Sequence, residues 1–154
     1  MLAREQFGLR GELLSDSASV LPLTLPLACR EDVHFMRDPT RGGLATVCHE
    51  ILHATGLGIR LQQENLPVRD QVQSVCDMLG YDPLYLACEG RVVAFVAPAA
   101  AAEVLQTWQA TPQGSGAAII GEVCDDFKAV LLRTSLGGER LLEELEDDPL
   151  PRIC

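Results

Sequence analysis

The sequence predicts an α/β fold of the α+β kind, with one sheet of about four strands and helices packed on one face. Three observations predict it. Short apolar runs alternate along the chain with stretches of three-and-four apolar spacing, the signatures of strands and helices. The composition, 47% hydrophobic and 22% charged, is that of a globular domain. The length, 154 residues, allows one domain with a real core and is too short for two ordinary ones.

The elements follow in order. Residues 1–35 read as a lead-in segment, and Ser17 to Arg30 is apolar but interrupted by Pro22 and Pro26, so a broken helix is expected there. A domain spanning residues 36–147 begins with a clearer pattern. Asp38-Pro39-Thr40 has the form of a helix start, an N-cap side chain followed by proline. Leu44, Val47, Cys48, Ile51, Leu52 and Thr55 then mark one buried face, and Gly56 ends the helix. A strand is expected at Ile59 to Gln63. Pro67 opens a second helix with Val68, Val72, Val75, Cys76 and Leu79 inward, closed by Gly80. Asp82 to Ala87 leads to a turn at Glu89-Gly90 and a strand at Arg91 to Ala97. A helix at Ala99 to Gln109 and strands at Ala117 to Val123 and Ala129 to Thr134 follow. Gly137-Gly138 turns the chain into an acidic helix, Glu139 to Glu146, and residues 148–154 form a flexible tail.

The formal net charge of −10 argues against nucleic acid and against an anionic membrane surface as partners. No apolar run approaches a membrane span and no secretory leader is visible, so the cytoplasm is the expected location. The six cysteines are scattered singly, and Cys48 and Cys76 fall on helix stripes, which predicts buried free thiols in a reducing compartment.

His49-Glu50-Ile51-Leu52-His53 fits the H-E-x-x-H pattern of zinc hydrolases, in which i, i+4 histidines share a helix face and the glutamate activates water. The extended form of that pattern needs a third histidine where this chain has Ile59, and His34 lies upstream. A carboxylate is the open choice for a third ligand. The helix phase also turns His49 and His53 away from the apolar stripe, toward solvent. No metal site is therefore expected, and a zinc hydrolase is the remote alternative.

The chain ends Pro151-Arg152-Ile153-Cys154. Two prolines keep the approach extended, and a terminal thiol on such a tail can be carried between active sites. The adjoining terminal carboxylate disfavours the thiolate, so nucleophilic use of Cys154 needs a base or a cationic pocket.

Met36 to Gly43 (MRDPTRGG), read with Asp82 to Ala87, Glu89-Gly90, Ile119 to Val123, Gly137-Gly138 and the terminal Pro-Arg-Ile-Cys, resembles the HypE family, the carbamoyl dehydratases of nickel–iron hydrogenase maturation. The wider group includes aminoimidazole-ribonucleotide synthetase and selenophosphate synthetase and shares the Asp-Pro-Thr-Arg-Gly-Gly segment. The likeness runs from about residue 10 to the end and concerns only the C-terminal domain of that fold. The ATP-binding domain is expected to be absent, making the chain a fragment, a truncated product or half of a split protein.

The resemblance implies that Cys154 accepts a carbamoyl group from a HypF-type carbamoyltransferase, and that ATP-driven dehydration converts it to a thiocyanate. The cyanide then goes to iron on a HypC–HypD complex. It implies Glu89 as the base, and Arg37, Asp38, Thr40, Arg41, Gly42 and Gly43 as the phosphate-facing loop. ATP and magnesium belong to the complete family protein. Neither is expected on this chain alone, unless a separate ATP-binding subunit joins it. The family carries Asn where this chain has Cys88, and smaller or uncharged residues at 49 and 53. A docking module without chemistry is the alternative reading.

Overall fold

The computed structural model describes residues 15–145. A short helix α1 (Leu21–Thr24) runs into a 3-10 turn at Leu25–Leu27, each opened by a proline. Strand β1 (Val33–Arg37) leads to helix α2 (Gly43–Thr55) and strand β2 (Gly58–Gln62). Helix α3 (Asp70–Leu79), a 3-10 turn at Pro83–Tyr85, strand β3 (Val93–Val96) and helix α4 (Ala101–Gln109) follow. Strands β4 (Gly121–Cys124), β5 (Val130–Arg133) and β6 (Glu139–Leu141) complete the order.

Four strands form a sheet in the order β4-β2-β5-β6, as the α/β reading anticipates. Strand β2 runs antiparallel to β4 and parallel to β5, with Ile59 opposite Val130 and Leu61 opposite Leu132. Those four side chains pack with Cys48 and Ile51 of α2, Leu84 and Leu142 into the main core. Helix α2 therefore covers the sheet through the apolar stripe that its sequence displays. Cys48 and Cys76 are buried free thiols.

Three departures from the sequence reading concern β3, the acidic helix and the start of α2. Strand β3 lies outside this sheet and pairs antiparallel with β1 instead, in a two-stranded sheet of its own. The sequence hides β1 because its register shifts between Val33 and Phe35, an irregularity that breaks the period of two. Leu27, Ala100 and Val104 form a second cluster against Val33, Met36, Val96 and Trp108.

The acidic helix expected at Glu139 to Glu146 does not form over its described residues, 139–145. Residues 139–141 instead form β6, paired with β5 through Arg133–Glu139 and Leu131–Leu141. Thr134 and Gly137–Gly138 close the hairpin, with Thr134 N–H donating to the Gly138 carbonyl at 2.7 Å. An eight-residue helix is marginal by itself, and ladder pairing with a buried neighbour outweighs the helix preference of Glu and Leu. The third departure concerns the start of α2. Its N-cap is Gly42, and the helix begins at Gly43, beyond the Asp38-Pro39-Thr40 signal.

Candidate functional site

Arg37 ends β1, and the chain turns through Asp38–Gly42 into α2. Main-chain bonds hold this loop: Thr40 N–H donates to the Asp38 carbonyl and Gly43 N–H to the Thr40 carbonyl, both at 2.9 Å. Gly42 and Gly43 have φ of 74° and 62°, left-handed values that side chains disfavour. Gly43 also lacks room for a side chain. A Cβ there would fall 2.5 Å from the Leu84 carbonyl oxygen and 2.7 Å from that of Leu86.

This close approach presses the start of α2 against the main chain that precedes the Glu89-Gly90 turn. A second tie comes from Cys88, whose N–H donates to the Pro39 carbonyl at 2.8 Å. The loop from Arg37 to Gly43 and the turn at Glu89 are thus neighbours on one surface, joined through backbone. The chain at Asp16 to Ala18 lies over the same turn. Glu89 N–H donates to the Asp16 carboxylate at 3.1 Å. Asp16 also places its carbonyl oxygen 1.9 Å from where a Cβ at Gly90 would sit.

The electrostatics of the loop are mixed. A glycine N-cap leaves the first-turn N–H groups of this thirteen-residue helix without a capping side chain, and such a helix end favours anions. Arg41 is exposed beside it. Arg37 faces the other way in part: its Nη1 lies 3.2 Å from Glu50 Oε2 and its Nε 3.7 Å from Asp38 Oδ1. The Glu89 side chain is exposed. Burial, with Asp16 and Glu89 adding to it against Arg91, pushes the Cys88 thiol up, so this sulfur is no ready nucleophile.

Cys154 lies outside the described residues. The last described residue, Leu145, comes within 3.5 Å of where a Cβ at Gly42 would sit. The chain is therefore beside the glycine loop at the point where the terminal segment begins.

The H-E-x-x-H residues part company. Glu50 is drawn to Arg37, with its Oε2 3.2 Å from the guanidinium Nη1. His53 is exposed as the helix phase predicts, but His49 is only 8% exposed, a correction to the expectation of solvent. Residues 142–145 follow β6 across that face of α2, and the His49 Nε2 lies 3.0 Å from the Leu142 carbonyl oxygen. The Glu144 carboxylate reaches His53, with Oε2 3.4 Å from Nε2. Among the described residues, one ligand atom from each of His49, His53 and Glu144 lies within 4.8 Å of the others. Sequence reasoning misses Glu144 because it assigns that residue to a helix. It misses Asp16 because its contact with the turn is purely tertiary.

Comparison with known proteins sets these features in context. The family model for the C-terminal domain of AIR synthase related proteins matches residues 2–132. The carbamoyl dehydratase HypE of Bradyrhizobium diazoefficiens is 45% identical over 157 aligned positions, which cover 100% of this chain and 45% of that protein. The crystal structure of E. coli HypE superposes with a TM-score of 0.91 at 44% identity, covering 99% of this chain and 47% of that one. A HypE–HypF complex gives 0.88 at 38% identity, covering 94% and 47%. A HypE structure in complex with ATP gives 0.85 at 36% identity, covering 96% and 47%. The chain spans about half the length of the curated relatives it matches.

Proposed function

This chain belongs to the family of AIR synthase related proteins, as their C-terminal domain, and on that premise we propose that it acts in hydrogenase maturation as the carbamoyl-carrying part of a HypE-type dehydratase. The Cys154 sulfur attacks the carbonyl carbon of a carbamoyl group presented by a HypF-type partner. The S–H proton and the donor's leaving group depart, leaving a thiocarbamate on the tail.

ATP supplies, when bound, the phosphoryl group that turns the carbamoyl oxygen into a leaving group. With the Gly43 amide already bonded to Thr40, the Leu44 and Ala45 amides of the first turn of α2, together with Arg41, are the groups we assign to its phosphates, since a helix end flanked by a guanidinium favours anions. Magnesium fits less well. Among the described residues the glycine loop carries no cluster of three carboxylate or histidine ligands. In the complete protein we assign the ligands for that ion to the half of its relatives that this chain does not span.

Dehydration removes both N–H protons as the oxygen departs with phosphate, leaving S–C≡N. Glu89, an exposed carboxylate on the turn tied to this loop, is the base we assign. The S–C bond then breaks: the cyanide passes to iron, as cargo, on a HypC–HypD complex, and two electrons from a reductant on that complex return Cys154 to the thiolate. Its place of action in this reading is the cytoplasm, and no helix among the described residues is long and apolar enough to cross a membrane.

One observation carries the reading: Leu145 leaves the described fold beside Gly42. The nine residues from Glu146 to Cys154, at up to ~3.3–3.6 Å each, then reach about 30 Å from that point. A tail of that span, rooted at a phosphate-suited helix end, can fold back to the loop or extend into a partner. The complexes of relatives with HypF and with ATP support the same partner and cosubstrate here.

Intact-mass measurement tests it. The chain, untagged at its C-terminus, is incubated with a HypF-type carbamoyltransferase, carbamoyl phosphate and ATP. A gain of ~43 Da, lost in Cys154→Ala, is the expected outcome for a carbamoylated thiol. Binding to the partner with no gain in mass would replace this reading with a docking module.

A further inference from the structure

We propose that His49, His53 and Glu144 form a binding site for one borderline divalent metal ion, and that this ion clips the segment after β6 onto α2. The two histidines stand at i and i+4 and so face the same side of the helix. Their ring centroids are 6.1 Å apart. Glu144 arrives from a different element, and its Oε2 already lies 3.4 Å from His53 Nε2. A tetrahedral ion with ~2.0–2.1 Å bonds sets its ligand atoms about 3.4 Å apart. The His53–Glu144 pair has that spacing, and a ring nitrogen of His49 lies within 4.8 Å of both ligand atoms.

The tautomer of His49 supplies the second argument. The Leu142 carbonyl only accepts hydrogen bonds, so the Nε2 atom 3.0 Å away donates its N–H. The neutral ring then keeps its lone pair on Nδ1. A histidine whose second nitrogen is held by a backbone carbonyl is the arrangement that fixes ring orientation at metal centres. Burial holds the ring further. One buried, oriented imidazole, one exposed imidazole and one carboxylate make an N, N, O donor set. That set suits zinc, nickel, cobalt or copper in preference to magnesium or calcium.

The site is a clip and not a hydrolase centre. The glutamate that a hydrolase of this pattern uses as base, Glu50, pairs with Arg37 on another face of the helix. What the ion would join is α2 and residues 142–145, the stretch from which the terminal tail departs.

The test uses the full chain, stripped with chelator and titrated separately with Zn²⁺, Ni²⁺ and Co²⁺ by calorimetry and absorption. We expect one ion per chain, a Co²⁺ spectrum without thiolate charge-transfer bands, and affinity reduced by more than about tenfold in both His53→Ala and Glu144→Gln. Both side chains are exposed, at 60% and 56%, so these variants keep the fold, whereas His49 is buried and its replacement is not needed. Glu50→Gln should leave affinity unchanged. Absence of binding, thiolate bands in the Co²⁺ spectrum, or an affinity that either ligand variant leaves intact would each overturn the proposal.

Discussion

The main chain of Gly43 lies directly against that of Leu84, close enough that a Cβ at 43 would sit 2.5 Å from the Leu84 carbonyl oxygen. This contact makes the glycine loop and the Glu89 turn one unit. Gly43→Ala meets backbone that cannot swing aside and a φ of 62° that alanine disfavours by ~1–2 kcal/mol. Urea unfolding should show a loss of at least ~2 kcal/mol. A variant as stable as the parent would mean that the two segments are not in contact.

Glu89→Gln separates loading from dehydration in the proposed reaction. The amide keeps the shape of the turn, since Glu89 contributes its N–H, not its carboxylate, to the bond with Asp16. The carbamoylated species should still form on Cys154. In the complete protein its loss of water should slow by ~10²–10⁴-fold, the usual contribution of a positioned base. Dehydration at the parental rate would remove Glu89 from that role.

Burial pushes the Cys48 thiol up to about 12 from an ordinary 9.0. The folded chain keeps this proton over a range where the unfolded chain gives it up. Stability from this group is therefore intact below pH 9.0 and falls as pH rises toward 12. The slope for one proton is at most ~1.4 kcal/mol per pH unit. Urea unfolding between about pH 8 and about pH 10.5 should lose less stability in Cys48→Ala than in the parent. Equal slopes would show that Cys48 is not held in its neutral form.

The single tryptophan, Trp108, packs against the second cluster and donates its Nε1–H to the Leu23 carbonyl at 2.8 Å. Trp108→Phe keeps an aromatic ring there and deletes that bond, with an expected loss of ~1 kcal/mol by circular dichroism melts. In the parent, Trp108 fluorescence reports the α1–α4 cluster alone. Its transition can be laid against the far-ultraviolet signal to see whether both cores melt together.

Much of the fold is legible in the sequence because local signals and burial agree. The stripe from Leu44 to Ile51 does face the sheet, Gly56 and Gly80 do cap their helices, and β2 and β5 lie within a residue of their expected ends. Where signals are tertiary, the sequence is silent. Strand β1 depends on β3 and a shifted register, β6 on its hairpin with β5, and the burial of His49 on a segment far along the chain. The site shows the same division. The glycine loop announces itself through its residues, whereas Gly43's contact with Leu84 and Leu86 and the reach of Glu144 to His53 arise only on folding.

The strand order β4-β2-β5-β6 has a consequence for synthesis. Strand β2 ends at Gln62, yet both its partners begin at Gly121 or later, and β1 must likewise wait for β3. A chain emerging from the ribosome can form α2 early but has nothing to pair its first two strands with until most of its length is made. Such distant pairings close slowly and leave apolar edges open meanwhile. The nascent domain therefore keeps these edges unpaired until β5 emerges, and truncations that stop short of Val130 should accumulate as aggregates instead of smaller folded units.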